Sequence, residues 1–209
     1  MIGFRANHAS SAVVVSGAAG HVSVGRLIRR FLLPAPLVSL IGLLRWGARI
    51  SWRAEVELTS NLQLGERNTI SSFTKVKTAE GIVRTGSDCG FANGCFIAPG
   101  SGGIELGDHV VCGPNVAIIG CNYRYAALEV PFEQQGLTSL GVRIGRNVWI
   151  GANTTILDGS VIGDNTIVVA NSLVNRRFPP NVIVQGNPAK VVLRRSPGAG
   201  VSGGPSPGT

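Results

Sequence analysis

Aromatic side chains are scarce in this chain of 209 residues, at 6%, so its apolar fraction of 44% has to consist mostly of Val, Ile, Leu and Ala. Charged residues are sparse too, at 14%. Cysteine is limited to Cys89, Cys95, Cys112 and Cys121, with no CxxC pair and no histidine at zinc spacing. That pattern leaves out a zinc finger or ribbon, offers no disulfide framework, and suits a reducing compartment. No apolar run is long enough to span a bilayer. The longest, Phe31 to Leu44, falls short of a membrane helix and is broken by Pro34 and Pro36. The stretch SSAVVVSGAAG near the start is too short and too weakly preceded by charge for a secretory signal. Neither an aromatic-rich RNP segment nor a Cys/His finger is present, which argues against nucleic acid as partner of the net charge of +8. The positive balance points instead to nucleotides, phosphorylated sugars or acidic lipid.

What the chain has in quantity is glycine, 29 residues of it. Glycine is a poor helix former, so a helical bundle is a bad fit, and many tight corners joining short strands are a good one. Three regions follow. Residues 1–53 hold a weakly patterned segment, 1–22, and then the run RLIRRFLLPAPLVSLIGLLRWGARI, read as one or two short helices with Arg26, Arg29, Arg30, Arg45 and Arg49 at their flanks. That run either lies on a membrane surface through residues 26–50 or caps the open end of the next region. Residues 196–209, SPGAGVSGGPSPGT, have the composition of a disordered tail.

Between them, over residues 54–195, the chain repeats every six residues. From Ile144 it reads IGRNVW, IGANTT, ILDGSV, IGDNTI, VVANSL; from Leu106 LGDHVV, CGPNVA; from Leu64 LGERNT, ISSFTK; from Thr85 TGSDCG, FANGCF, IAPGSG. An aliphatic residue usually opens each block, Gly or a small residue follows, and Asn, Asp or Gly usually sits fourth. Such a block is a short strand plus a corner, and three blocks close one triangular turn. The opening side chain points inward and stacks on its equivalents in neighbouring turns, while the fourth residue accepts positive φ. One repeat cannot bury its face alone, so stability comes from stacking. The expected fold is all-β, a left-handed parallel β-helix with a short N-terminal helical segment. On this register Cys89 and Cys95 take the fifth position and Cys112 the opening one, all as core residues. Residues 120–143, GCNYRYAALEVPFEQQGLTSLGVR, break the period and read as an ejected loop, where function is usually housed.

The segment from Ile144 to Val192 resembles the hexapeptide-repeat acyltransferases, most of all the branch of galactoside and maltose O-acetyltransferases, xenobiotic acetyltransferases and sugar O-acetyltransferases of polysaccharide synthesis, and the resemblance covers roughly residues 54–194. The residues that carry the likeness are NVWIGA around Trp149, the FPPN turn at Phe178 to Asn181, and QGNPAKVV from Gln185. The resemblance implies a homotrimer with its active sites between neighbouring coils, acetyl-CoA as acyl donor and no metal. It also implies that Trp149, Gly151, Ala152 and Ala170 bind the cofactor, backbone groups at Ala152 and Ala170 holding the pantetheine arm, with Asn175, Arg176 and Lys190 near the CoA phosphates. Independently, cationic side chains at a groove mouth suit polyanionic CoA. The acceptor would be a sugar or glycan precursor, and the setting the cytoplasm, at the inner face of the membrane where residues 26–50 touch it.

In that family a loop histidine acts as general base, since imidazole titrates near working pH. Here the loop has none. Asn122, Tyr123, Arg124, Tyr125 stand where the xenobiotic branch has an Asn-His-Arg-Met type segment, so Tyr123 takes the histidine's position. A phenol with a pKa near 10 is a poor base at neutral pH. Three routes stay open: Tyr123 activated by nearby Arg124 or by burial beside cations, His109 serving from a neighbouring coil although its place in the repeat suits a corner, or positioning alone with the proton leaving through water. A catalytically degenerate trimer acting as a binding or assembly module is the alternative to all three. His8 and His21 receive no role. With only His109 in the repeat region, the three-histidine zinc site of the γ-class carbonic anhydrases cannot be built.

Overall fold

The computed structural model describes residues 34–196. The segment 1–33, with the expectations for residues 1–22, His8, His21, Arg26, Arg29 and Arg30, lies outside the described residues, as do residues 197–209 of the tail. Helix α1, Ala35–Trp46, opens the described part. It begins just after Pro34, with a second proline in its first turn where no N–H is needed, and ends at Gly47 in the left-handed conformation with φ 61°. The rest is a coil of three faces. The first stacks strands beginning at Arg49, Thr69, Gly90, Val111, Trp149, Ile167 and Val182; the second at Glu55, Lys75, Phe96, Ala117, Thr155 and Leu173; the third at Leu62, Val83, Ile104, Val142, Val161 and Arg177. Every pairing within these stacks is parallel, and the winding is the left-handed β-helix of the hexapeptide proteins.

Register explains why the coil holds. On the first face Ile50, Ile70, Phe91, Cys112, Ile150, Val168 and Val184 stand one above another. The second face stacks Val56, Val76, Ile97, Ile118, Ile156 and Val174, and the third Thr85, Leu106, Ile144, Ile162 and Phe178. All are buried. Each aliphatic member contributes about 1.5–3 kcal/mol by leaving water. The fourth position of the repeat turns the corner: His109, Asn115, Asn147, Asn153, Asn165, Asn171 and Asn181 all have φ between 54° and 60°. Asparagine tolerates this region better than other non-glycine residues, which is why it dominates there. The fifth position turns back inside, where Cys89, Cys95, Val110, Val116 and Val148 are buried. Where it is a hydroxyl, the group donates to a backbone carbonyl, as Thr74 does to Ala92 (2.8 Å) and Ser160 to Val174 (3.1 Å). The second position is small for a steric reason. A Cβ on Gly151 would stand 2.4 Å from the backbone nitrogen of Ala170 in the next turn.

Both ends of the core are covered. Val38 of α1 is buried against the first coil, and Gly42 packs so closely that a Cβ there would meet Ile50 Cδ1 at 2.5 Å. At the other end Ala189–Arg194 folds back antiparallel on Val182–Gly186. Of the two roles open to the N-terminal apolar run, capping is the one that its described part, α1, performs.

Candidate functional site

The corner between the second and third faces is where the coil departs from its period. After Gly120 the chain leaves the second face and returns to the third at Val142. The excursion opens as a hairpin, Asn122–Tyr123 pairing antiparallel with Leu137–Thr138. Arg124 N–H donates to Gly136 O (3.0 Å), and a single 3-10 turn, Phe132–Gln134, follows within the loop. The Gln135 side chain ties the tip by accepting from Ala127 N–H (3.0 Å) and donating to Ala127 O (2.8 Å) and Val130 O (2.7 Å).

The neck is held to the coil from two sides. Ser139 Oγ donates to Gly120 O (2.6 Å) and accepts from Gly102 N–H (2.9 Å). The Asp158 carboxylate, one turn on, accepts from Leu140 N–H (2.8 and 3.0 Å) and Gly141 N–H (2.8 Å). Asp108 and Asp164, also third in their repeats, use Oδ1 the same way, accepting from Ser87 N–H (2.8 Å) and Arg146 N–H (2.9 Å) of the preceding turns. Ser139 and Asp158 were not singled out from sequence. The third-position aspartates of LGDHVV, ILDGSV and IGDNTI were the available signal.

Asn122 and Tyr123 both sit on the exposed hairpin, and Tyr123 is 57% exposed. Its hydroxyl has no hydrogen-bond partner among the described residues. His109 occupies another corner, between the third and first faces, so one chain does not bring it to Tyr123. Its Nδ1 lies 3.9 Å from Asp88, too far for a hydrogen bond. Asp88 is already engaged by the Arg67 guanidinium at 2.8 and 2.7 Å, which holds the carboxyl below its ordinary range. The same corner continues as an asparagine ladder, Asn147 donating to Asn165 (2.7 Å) and Asn165 to Asn181 (3.0 Å). His109 is one rung of that column.

The residues expected around an acyl-CoA fall on two corners. Gly151, Ala152 and Ala170 lie between the first and second faces, and the Gly186–Ala189 turn leading to Lys190 joins them there through Gly186 N–H donating to Ser172 Oγ (3.2 Å). The N–H of Ala152 and both backbone polar groups of Ala170 have no partner among the described residues, while Ala170 is exposed. A bare, small-residue edge with free amide groups fits the amide-bearing pantetheine arm. Asn175 and Arg176 lie on the other corner, that of the ejected loop, two turns further along. Arg176, Arg177 and Lys190 are exposed and form no ion pair among the described residues, and no acidic residue follows Asp164 in the sequence. Trp149 stands outward on the first face, 58% exposed, between Val111 and Ile167 in register.

The thiols have no place in this chemistry. Cys89, Cys95 and Cys112 are in the core, and burial pushes each thiol above its ordinary range, Cys112 furthest. Cys121, at the loop's base, is half-buried and raised for the same reason. Raised thiols are protonated and unreactive.

Residues 141–176 match the bacterial transferase hexapeptide (six repeats) family. The chain is 34% identical to the galactoside O-acetyltransferase of Escherichia coli (strain K12) over 43% of each chain. It is 29% identical to "Probable acetyltransferase Rv3034c" of Mycobacterium tuberculosis over 79% of this chain and 55% of that one. The chain spans about half the length of the curated relatives it matches. Among solved structures, a point mutant of AntD, an N-acyltransferase from Bacillus cereus in complex with dTDP and coenzyme A, superposes with a TM-score of 0.66 at 20% identity, covering 76% of this chain and 89% of that one. A hexapeptide-repeat containing acetyltransferase of Vibrio cholerae complexed with acetyl-CoA superposes with a TM-score of 0.54 at 22% identity, covering 82% and 83%.

Proposed function

For a chain that is a hexapeptide-repeat β-helix protein, similar to the sugar O-acetyltransferases, we propose acyl transfer: an acetyl group moves from acetyl-CoA to a hydroxyl of a sugar or glycan precursor. The observation that carries this reading is the neck-anchored loop, thrown from an otherwise regular coil at the corner that later presents Asn175 and Arg176. The acceptor oxygen attacks the thioester carbonyl; the new C–O bond forms, the C–S bond breaks, and CoA leaves as a thiolate that takes up a proton.

Each group has a part. The free backbone amides at Ala152 and Ala170 bind the pantetheine amides along an edge where Gly151 admits no larger side chain, with Trp149 beside it. Arg176 and Lys190, with Asn175, meet the CoA phosphates through charge-assisted contacts. These groups occupy two corners separated by the whole second face, so a complete site takes one corner from each of two copies. That requirement supports a homotrimer. Asn122 and the hairpin orient the acceptor. The hydroxyl proton leaves through water, since Tyr123 has no group arranged to activate it and His109 stands on a third corner, apart from both sets of groups. Positioning then supplies most of the rate, for which effective molarities leave ample room. The buried unpaired thiols suit a reducing setting, the cytoplasmic side of a membrane.

Incubation with acetyl-CoA and a panel of mono- and oligosaccharides, following release of free CoA thiol, tests the proposal. Acceptor-dependent thiol release is expected. A trimer that binds CoA by calorimetry yet releases no thiol with any acceptor would support the binding-module alternative. A chain that neither binds CoA nor releases thiol would refute the acyl-transfer reading outright.

A further inference from the structure

Helix α1 is apolar on both sides. Val38 and Gly42, one turn apart, face the coil. Leu37, Leu40 and Leu44, at helical spacing on the opposite side with Leu43 beside them, face away and are exposed, Leu44 to 77%. A helix that is hydrophobic all round is ordinarily covered on all sides. The coil covers only one.

Charge says what suits the other. No Asp or Glu occurs before Glu55, while the same 54 residues hold Arg5, Arg26, Arg29, Arg30, Arg45, Arg49 and Arg53. In the described part, Arg45 stacks on Trp46 and Arg53 on Trp52, each with its guanidinium carbon 4.7 Å from the ring centroid. None of Arg45, Arg49 and Arg53 pairs with a carboxylate among the described residues. Trp52 is 59% exposed. Leucines flanked by tryptophan and by arginines that form no ion pair among the described residues, in a segment without one acidic residue, match the interfacial zone of a bilayer with anionic headgroups.

We infer that the outer face of α1 docks the coil end-on against an anionic lipid bilayer. Leu37, Leu40, Leu43 and Leu44 enter the headgroup boundary, and Arg45, Arg49 and Arg53 meet lipid phosphate. The ejected loop leaves the fourth turn, three strand spacings from the first, which puts its root about 14 Å along the coil from the docked end.

Co-sedimentation of the full chain with vesicles, without acetyl-CoA, tests this independently of any transfer activity. Binding is expected to vesicles of phosphatidylcholine with phosphatidylglycerol, to weaken with salt, and to be absent or far weaker with phosphatidylcholine alone. Leu40→Glu with Leu44→Glu should lower binding at least tenfold, from the transfer of one leucine alone. Arg45→Glu with Arg49→Glu should lower it at least tenfold, from two lost headgroup contacts, and flatten the salt dependence. Leu40→Ala with Leu44→Ala, which introduces no charge, should lower it as well, and a far-UV melt unchanged from the parent shows that the fold survives. Three results would overturn the inference: no binding of the parent chain to anionic vesicles, as when residues 1–33 cover the leucines; binding indifferent to both leucine pairs; or concentration-dependent self-association, abolished by the leucine pairs, in place of vesicle binding.

Discussion

Asp158 is the most informative single side chain in the candidate site, because it touches no reacting group and still decides the loop's geometry. Its carboxylate accepts from Leu140 N–H and Gly141 N–H at 2.8 Å, at the point where the loop re-enters the coil. Replacing it with alanine leaves both N–H groups without their charged acceptor. Charge-assisted bonds of this kind are worth about 1.5–3 kcal/mol each, and water repays part of that at a half-exposed neck, so a net loss of about 2 kcal/mol is reasonable. If that loss falls on the anchored state of the loop, turnover drops about thirtyfold, while CoA affinity, which the proposed site assigns to Ala170, Arg176 and Lys190, stays within about twofold. Asp158→Asn keeps one acceptor oxygen and should fall between parent and alanine variant. Amide hydrogen exchange at Leu140 and Gly141 reports the neck directly and should speed up in the same order. Unchanged exchange and turnover in Asp158→Ala would refute the claim that the neck governs the loop.

Three further outcomes follow from the same geometry. Ile156→Asp puts an unpaired charge between Ile118 and Val174 in the second-face stack, and should cost several kcal/mol and abolish a cooperative melt. Arg176→Ala removes the charge-assisted phosphate contact proposed for this side chain and should weaken CoA about tenfold by calorimetry, without loss of thermal stability. The buried thiols set an alkaline limit. Their folded pKa values are raised, so their contribution is fully present below the unfolded thiol value of about 8.5 and declines above it, as the unfolded state ionises first. Melting temperature should fall from about pH 8.5 upward, and less steeply once Cys112 is replaced by alanine in a chain that still folds, whereas a flat profile through pH 10 would sink that argument.

The coil was legible because its period ties each side chain to a direction. Ile144, Ile150, Ile156, Ile162 and Val168 point inward as the six-residue spacing requires, and Cys89, Cys95 and Cys112 occupy the core places their register gives them. His109 was legible as a corner residue from its place in LGDHVV, and its φ of 58° is that of the asparagines in its column. Contacts that link turns without repeating were not legible. Val56 to Leu64, Val76 to Thr85 and Ile97 to Leu106 each take more than six residues to pass the loop's corner, and local periodicity alone leaves such insertions free to fall anywhere. The clamp from Asp158 to Leu140 and Gly141 joins residues whose spacing depends on the loop's length. The return of Ala189–Arg194 as an antiparallel strand answers a need of the terminal turn alone, to cover its open edge. The division of the expected CoA groups over two corners is likewise invisible in a linear string, since both corners are built from the same hexapeptide.

The most direct test is steady-state transfer from acetyl-CoA to a sugar acceptor by the variant carrying both Tyr123→Phe and His109→Asn. Asparagine keeps the corner's positive φ, and phenylalanine keeps the hairpin's apolar bulk, so both changes remove proton chemistry and little else. Catalysis by positioning predicts turnover within about tenfold of the parent. A loss of a hundredfold or more, the scale of a missing general base, with oligomeric state and CoA affinity unchanged, would contradict it.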